Sequence, residues 1–230
     1  MGEARRRCER IGAGIGGIRD TRGGGCMWSQ DRDMASIEAR LLDEVVWQGR
    51  IVWSGQVTVF PNKVLVEAPA VVLNSLGVGP GWIALLGETT VEIEALEGED
   101  FVVVSQVRAA SDGPRIPAWP VGSSVPMRIV TFEHARRVVH ERLLSLLRMS
   151  AAEAQAAVNV QELARTEGIG ALHLVYAQAS PAAGADSVAA SKAALYGSKF
   201  EERVRMLRAV IETEDGPRVL RRSVVRLERE

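Results

Sequence analysis

The chain has 230 residues, enough for one domain of ordinary size or two small ones with a buried core. Twenty-eight lysines and arginines stand against 29 aspartates and glutamates, a formal net charge of −1, which argues against a protein that coats DNA or a membrane with positive charge. A hydrophobic fraction of 47% and a charged fraction of 25% lie in the soluble globular range, no apolar run reaches the ~18–20 residues of a bilayer span, and 5% aromatic residues leave few stacking platforms for single-stranded nucleic acid.

Residues 1–33 are expected to form a flexible N-terminal arm. Eight of the 22 glycines fall in residues 1–25, beside Arg5, Arg6, Arg7 and Arg10 and without apolar periodicity. No continuous apolar segment follows the basic start, as a secretory leader would require. Cys8 and Cys26 supply neither a disulfide framework nor a zinc ligand set, so a reducing compartment is the expectation. Ala35 to Trp47 reads as a short amphipathic helix through Ile37, Leu41, Leu42, Val45 and Val46. The period then changes to two. Val57 and Val59, Val64 to Leu73, Trp82 to Leu86, Thr90 to Leu96 and Phe101 to Val107 read as strands, and residues 111–122 as a long irregular loop rich in Pro and Gly.

From Thr131, taken as an N-cap, the period is 3.6: Phe132, Ala135, Val139, Leu143, Leu146 and Leu147 form one stripe. Ser150 and Glu153 have capping-box spacing, so a second helix is expected there, interrupted at Gly168 and Gly170 before a third segment from Ala171 to Gln178. Ser180 to Gly184 reads as a loop and Asp186 to Thr213 as the longest helix, stopped by Glu214-Asp215-Gly216-Pro217. Val219 to Leu227 reads as an extended tail. The expected class is α+β: a small antiparallel sandwich or barrel-like module over 34–130 with a leading short helix, then a helical module over 131–230 with a C-terminal extended strand.

The motifs that carry chemistry fail on context. Gly12, Gly14 and Gly17 match G-x-G-x-x-G but follow arginines and no strand. Ser191-Lys192 resembles the active-site helix of short-chain dehydrogenases, yet Val188 stands where that family needs tyrosine. His134 and His140 are six residues apart and point to different helix faces, unlike the i, i+4 pair of a zinc protease. His173 reads as a satisfied core or interface residue. Glu92, Glu94, Glu97, Glu99 and Asp100 read as the solvated face of an alternating strand and its turn. No catalytic, cofactor-binding or metal-binding residue is therefore assigned, and no cofactor.

Two stretches resemble a known class. Trp82 to Val125, with Glu88, the hairpin, Arg108 and Ala118-Trp119-Pro120-Val121-Gly122, resembles a β module of tailed-bacteriophage and gene-transfer-agent structural proteins. Val158 to Glu230, with Asn159 to Leu163, Ala171 to Tyr176, the helix around Tyr196 and Phe200, and the arginine-rich end, is similar to helical neck (head–tail connector) proteins of tailed phages. The resemblance implies a non-enzymatic subunit of the neck or tail, found in the virion and, during assembly, in the host cytoplasm. Its implied partners are copies of itself in a ring and the adjoining portal, connector or tail proteins, with DNA contact secondary and no membrane.

For an assembly subunit, candidate contact residues are Trp119, flanked by Pro117 and Pro120, and the tail residues Arg221, Arg222, Val225, Arg226 and Leu227. Trp119 reads either as a rim anchor or as a cover over its own core. The tail reads either as a strand added to a neighbour, its arginines meeting acidic faces such as Glu92 and Glu94, or as an intramolecular edge strand. The alternative function is a cellular adaptor that holds a peptide or protein at its β edge.

Overall fold

Alternating β-branched residues separated by tight turns build the first half of the molecule. The structure is a computed structural model and describes residues 27–66, 73–98, 100–109, 112–213 and 216–221. Strands β1 (Arg50–Phe60), β2 (Lys63–Val66), β3 (Ile83–Leu86), β4 (Thr89–Glu97), β5 (Phe101–Gln106) and β6 (Gly122–Thr131) form a closed antiparallel barrel in the order β1-β2-β5-β4-β3-β6. Val57, Val59, Val64, Leu86, Val91, Ile93, Val102, Val104, Met127 and Ile129 fill its interior. Register shifts between Ile51 and Trp53, and between Ile93 and Ala95, add the local twist that closure needs. β2 ends at Val66, short of the expected Leu73; residues 67–72 lie outside the described residues.

The outer faces of β3 and β6 are buried as well. Ile83 and Val130 point away from the barrel into a second core shared with Trp28, Met34, Leu41, Leu42, Val139, Leu143, Leu172 and Tyr176. The segment that closes this seam is α1 (Asp31–Ile37), which begins inside the expected arm. Trp28, Ser29, Asp31 and Arg32 are buried, so residues 27–33 belong to the core, while residues 1–26 lie outside the described residues. The expected helix from Ala35 to Trp47 is split: α1 stops at an extended Glu38, and α2 (Leu41–Val45) follows.

Helix α3 (Glu133–Leu147) starts two residues after the expected cap Thr131, with Phe132 in the cap position, although the Thr131 hydroxyl still accepts from Glu133 N at 3.1 Å. Helix α4 (Ala151–Gln155) has the expected capping box between Ser150 and Glu153. Helix α5 (Val160–Ala183) runs unbroken through Gly168 and Gly170. A Cβ on Gly170 would stand 2.7 Å from both Phe200 and Val139, so this glycine serves close helix packing and not a helix end.

The last helix is shorter than expected. α6 (Val188–Met206) is capped by Ser187, whose hydroxyl accepts from Ala190 N at 3.1 Å, and gives way to β7 (Arg208–Thr213). Leu207 and Ile211 fit a helical period, but the structure buries Leu207, Ala209 and Ile211, which is a period of two. β8 (Gly216–Arg221) pairs antiparallel with β7, with Thr213 opposite Gly216 and Arg208 opposite Arg221. Thr213 and Gly216 are thus paired across an antiparallel ladder where a helix stop was expected, and Glu214 and Asp215 lie outside the described residues.

Candidate interaction surface and the charged seam behind it

Proline and glycine keep residues 112–121 out of the ladder, and backbone and side-chain hydrogen bonds hold the segment against the barrel instead. Gln106 N donates to Ile116 O at 3.0 Å, Ile116 N to Ser105 Oγ at 2.9 Å, Gln106 Nε2 to Pro117 O at 2.9 Å and Ala118 N to Pro61 O at 2.7 Å. Ala118 is fully buried by these ties. Its neighbour Trp119 is thrown outward and is 61% exposed, so it does not cover its own core. Ile116 and Val121 on the same segment, and Phe60 at the β1–β2 turn, are exposed at this end of the barrel too. Of these, Trp119 alone is a candidate from sequence; Phe60, Ile116 and Val121 carry only the signal of an apolar residue next to proline or glycine, which does not by itself fix exposure. A held loop that exposes a large aromatic ring can dock with little loss of conformational freedom.

Behind this end, the polar face of β4 is not solvated. Glu92 is 1% exposed. Its Oε2 lies 2.6 Å from Arg32 Nη1 and its Oε1 accepts from Arg108 Nε at 2.6 Å. Arg108 and Arg115 both pair with Glu94, which is largely buried. The expectation of a solvated strand face is corrected here: β4 points these carboxylates out of the barrel, and α1 and Arg108 then cover them. Burial pushes the Glu92 carboxyl up from its ordinary range, and the Arg108 and Arg32 guanidinium groups oppose that rise. Glu97 and Asp100 are exposed as expected; Glu99 lies outside the described residues.

The network continues across the seam. Asp31 Oδ1 accepts from Arg136 Nε at 3.0 Å and from Phe132 N at 2.9 Å, and its Oδ2 accepts from Thr131 Oγ1 at 2.7 Å. Arg136 also donates to Ser29 O. Glu167 Oε1 accepts from Ser29 Oγ at 2.6 Å and Ser29 N at 3.1 Å, while its Oε2 lies 2.7 Å from His140 Nδ1. The Trp28 ring meets His140 edge-on at 4.5 Å. His140 is thus a buried partner of Glu167, His134 is exposed, and His173 Nδ1 lies 2.9 Å from Ala193 O.

A third cluster holds α6 to the α1–α2 connection. Lys192 Nζ lies 2.8 Å from Glu38 and 2.7 Å from Glu44, which also accept from Tyr196 and Tyr176 hydroxyls at 2.9 and 2.8 Å. Burial alone would lower the Lys192 ammonium, but the two carboxylates outweigh it and hold it above the ordinary lysine range. Burial and the hydrogen bonds to carboxylates raise both tyrosines far above theirs. A lysine held charged and tyrosines held protonated suit a structural clasp, since a nucleophile or base needs the opposite shift.

The tail candidates divide. Arg221 is the last residue of β8 and faces Arg208 across the ladder, so this part of the tail is an intramolecular strand. Arg222, Val225, Arg226 and Leu227 lie outside the described residues. Glu92 and Glu94 are occupied by Arg32, Arg108 and Arg115, which leaves them unavailable to tail arginines. Among the described residues the barrel strands form a closed order, without a terminal strand for a peptide to extend. One edge of β7 is capped: Val158 N donates to Val210 O at 2.8 Å, Val210 N to Asn159 Oδ1 at 2.9 Å, and Asn159 Nδ2 to Arg208 O at 2.7 Å.

Among the described residues no three His, Cys, Asp or Glu side chains group as a metal site, and no helix is long and apolar enough to cross a membrane. No protein-family model matches the chain, and no curated protein or solved structure matches it.

Proposed function

We propose that the protein is a virion assembly subunit of the neck (head–tail connector) or tail of a phage-like particle, acting through contacts with copies of itself and with adjoining virion proteins. The observation that carries the docking role is Trp119, exposed at 61% on a loop that six residues of hydrogen-bonded backbone and side chain keep in place. Such a ring adds contact area on binding without first having to be ordered. The placement in a phage-like particle rests on the resemblance of residues 82–125 and 158–230 to that class.

The test is purification of particles from cells that express the chain, with electron microscopy and mass photometry of the isolated protein. The expected result is self-association into rings, or incorporation of the wild-type protein into the particle fraction. Trp119→Ala is expected to leave the particle fraction while melting like wild type. A protein that is strictly monomeric and never travels with particles overturns the reading.

A further inference from the structure

Helix α6 has a second face that nothing among the described residues covers. Its inner face buries Ala189, Ala193, Tyr196, Phe200 and Val204. On the outer face Leu195, Lys199, Glu202 and Met206 follow one another at spacings of four, three and four, the 3.5-residue repeat of a helix-pairing seam. All four are exposed, Leu195 at 48% and Met206 at 65%. An isolated exposed leucine is ordinary, but two long apolar side chains bracketing an opposite-charge pair on one stripe form a pattern. Lys199 Nζ rests 5.6 Å from the Tyr196 ring centre, and the neighbouring Glu201 is taken by Arg142 at 3.0 Å.

We propose that this stripe is a two-fold contact between two copies of the chain, with their α6 helices packed antiparallel about an axis at the level of Phe200 and Glu201. In that register Leu195 meets Met206 of the second copy and Lys199 meets Glu202 of the second copy. The two-fold symmetry makes each contact twice. Charge decides the direction. A parallel pair would set Lys199 against Lys199 and Glu202 against Glu202, whereas the antiparallel pair sets opposite charges together at both positions. One helix pair is small beside a standard interface, so the dimer is expected to form on the order of micromolar concentration. The inference goes beyond the assembly reading: an isologous contact closes after two copies and holds whether or not the protein enters a particle.

The experiment is sedimentation equilibrium of the full chain over a concentration series. Wild type is expected to show a monomer–dimer equilibrium. Lys199→Glu alone and Glu202→Lys alone each create two like-charge contacts and are expected to weaken the dimer about tenfold or more, roughly the effect of 1.4 kcal/mol. The double variant K199E/E202K rebuilds both pairs in reverse and is expected to recover dimerisation to within about threefold of wild type. Mixing the two single variants restores opposite charges across a mixed dimer, which is expected to form where neither variant dimerises alone. Melting curves matching wild type establish that each variant is folded, and the mixing experiment stands even if the double variant is not. Trp119→Ala leaves this equilibrium unchanged, so failure of the particle reading and failure of the helix contact are separate results. A wild-type chain that stays monomeric at the highest concentration, or folded variants that no charge exchange or mixing rescues, overturns the proposal.

Discussion

The barrel interior and the seam behind it are equally buried but are held by different physics. Inside the barrel, Val57, Val64, Val91, Ile93, Val102 and Met127 are apolar, and neighbouring strands in the chain mostly pair with one another. In the seam, Asp31, Arg32, Glu92, Arg108, Arg136, His140 and Glu167 are buried together with Ser29, and the bonds that tie residues 29 and 31 to Glu167 and Arg136 join residues more than 100 positions apart. An apolar core tolerates the loss of a methylene group by about 1 kcal/mol, whereas a buried charge without its partner is far more damaging. The barrel is therefore robust to conservative change, and the seam is the part that specifies how residues 27–37 lie on it.

The sharpest test of that contrast is Arg136→Ala. It strands the Asp31 carboxylate in the interior, and a loss of about 3–5 kcal/mol is expected in denaturant unfolding. A loss no larger than that of a barrel valine trimmed to alanine would erase the distinction. Within the helical layer, Gly170→Ala places a methyl group 2.7 Å from Phe200 and Val139 and is expected to cost about 1–3 kcal/mol, more than the gain in helix propensity. Gly168→Ala meets only the tip of Ile37 at 3.4 Å, so propensity prevails and a gain of about 0.5–1 kcal/mol is expected. Thermal melts of the two variants, run together, should move in opposite directions.

Acid separates the clasp from the seam. Burial would raise Glu38, but hydrogen bonds from Lys192 and Tyr196 outweigh it and hold the carboxyl below its ordinary range. Its contribution is present above the ordinary glutamate value, about pH 4–5, and is lost as pH falls through the lower folded value. Glu92 is shifted upward by burial, so the folded state takes up its proton first and acidification through that window favours folding. Melting temperature against pH should thus fall less steeply on the acid side in Glu38→Gln, and more steeply in Glu92→Gln, than in wild type. If both substitutions bend the curve the same way, the two clusters are not distinct. The smallest expected effect is that of Trp119→Ala on stability, within about 0.5 kcal/mol by thermal melting, because the ring is exposed.

Much of the fold was legible from local signals. The Ser150–Glu153 capping box starts a helix where its spacing places one, since the cap is a contact between near neighbours. The alternation in β4 assigned Val91 and Ile93 to one side and Glu92 and Glu94 to the other. What alternation could not say is whether the second side meets water or arginine. The glycines of α5 failed for a related reason: glycine disfavours a helix locally, and only the approach of Phe200 and Val139 reveals why Gly170 stays inside one. Of the candidate site, the proline flanks marked out Trp119 but left a rim anchor and a cover over its own core equally open, and its exposure came only from the structure. Phe60, Ile116 and Val121 were not legible, because exposure depends on how the loop is tied to Ser105, Gln106 and Pro61.

The amino-acid order by itself determined the α+β class and the period of most elements, though not of residues 207–213, where Leu207 and Ile211 fit a helix as well as a strand. Class and period depend on backbone geometry and nearest neighbours along the chain. The closed strand order, the burial of residues 27–33 and the pairing of Glu92 with Arg32 and Arg108 were decided only in three dimensions. A charge is stable in the interior only where distant elements bring it a partner, and no local pattern records that meeting.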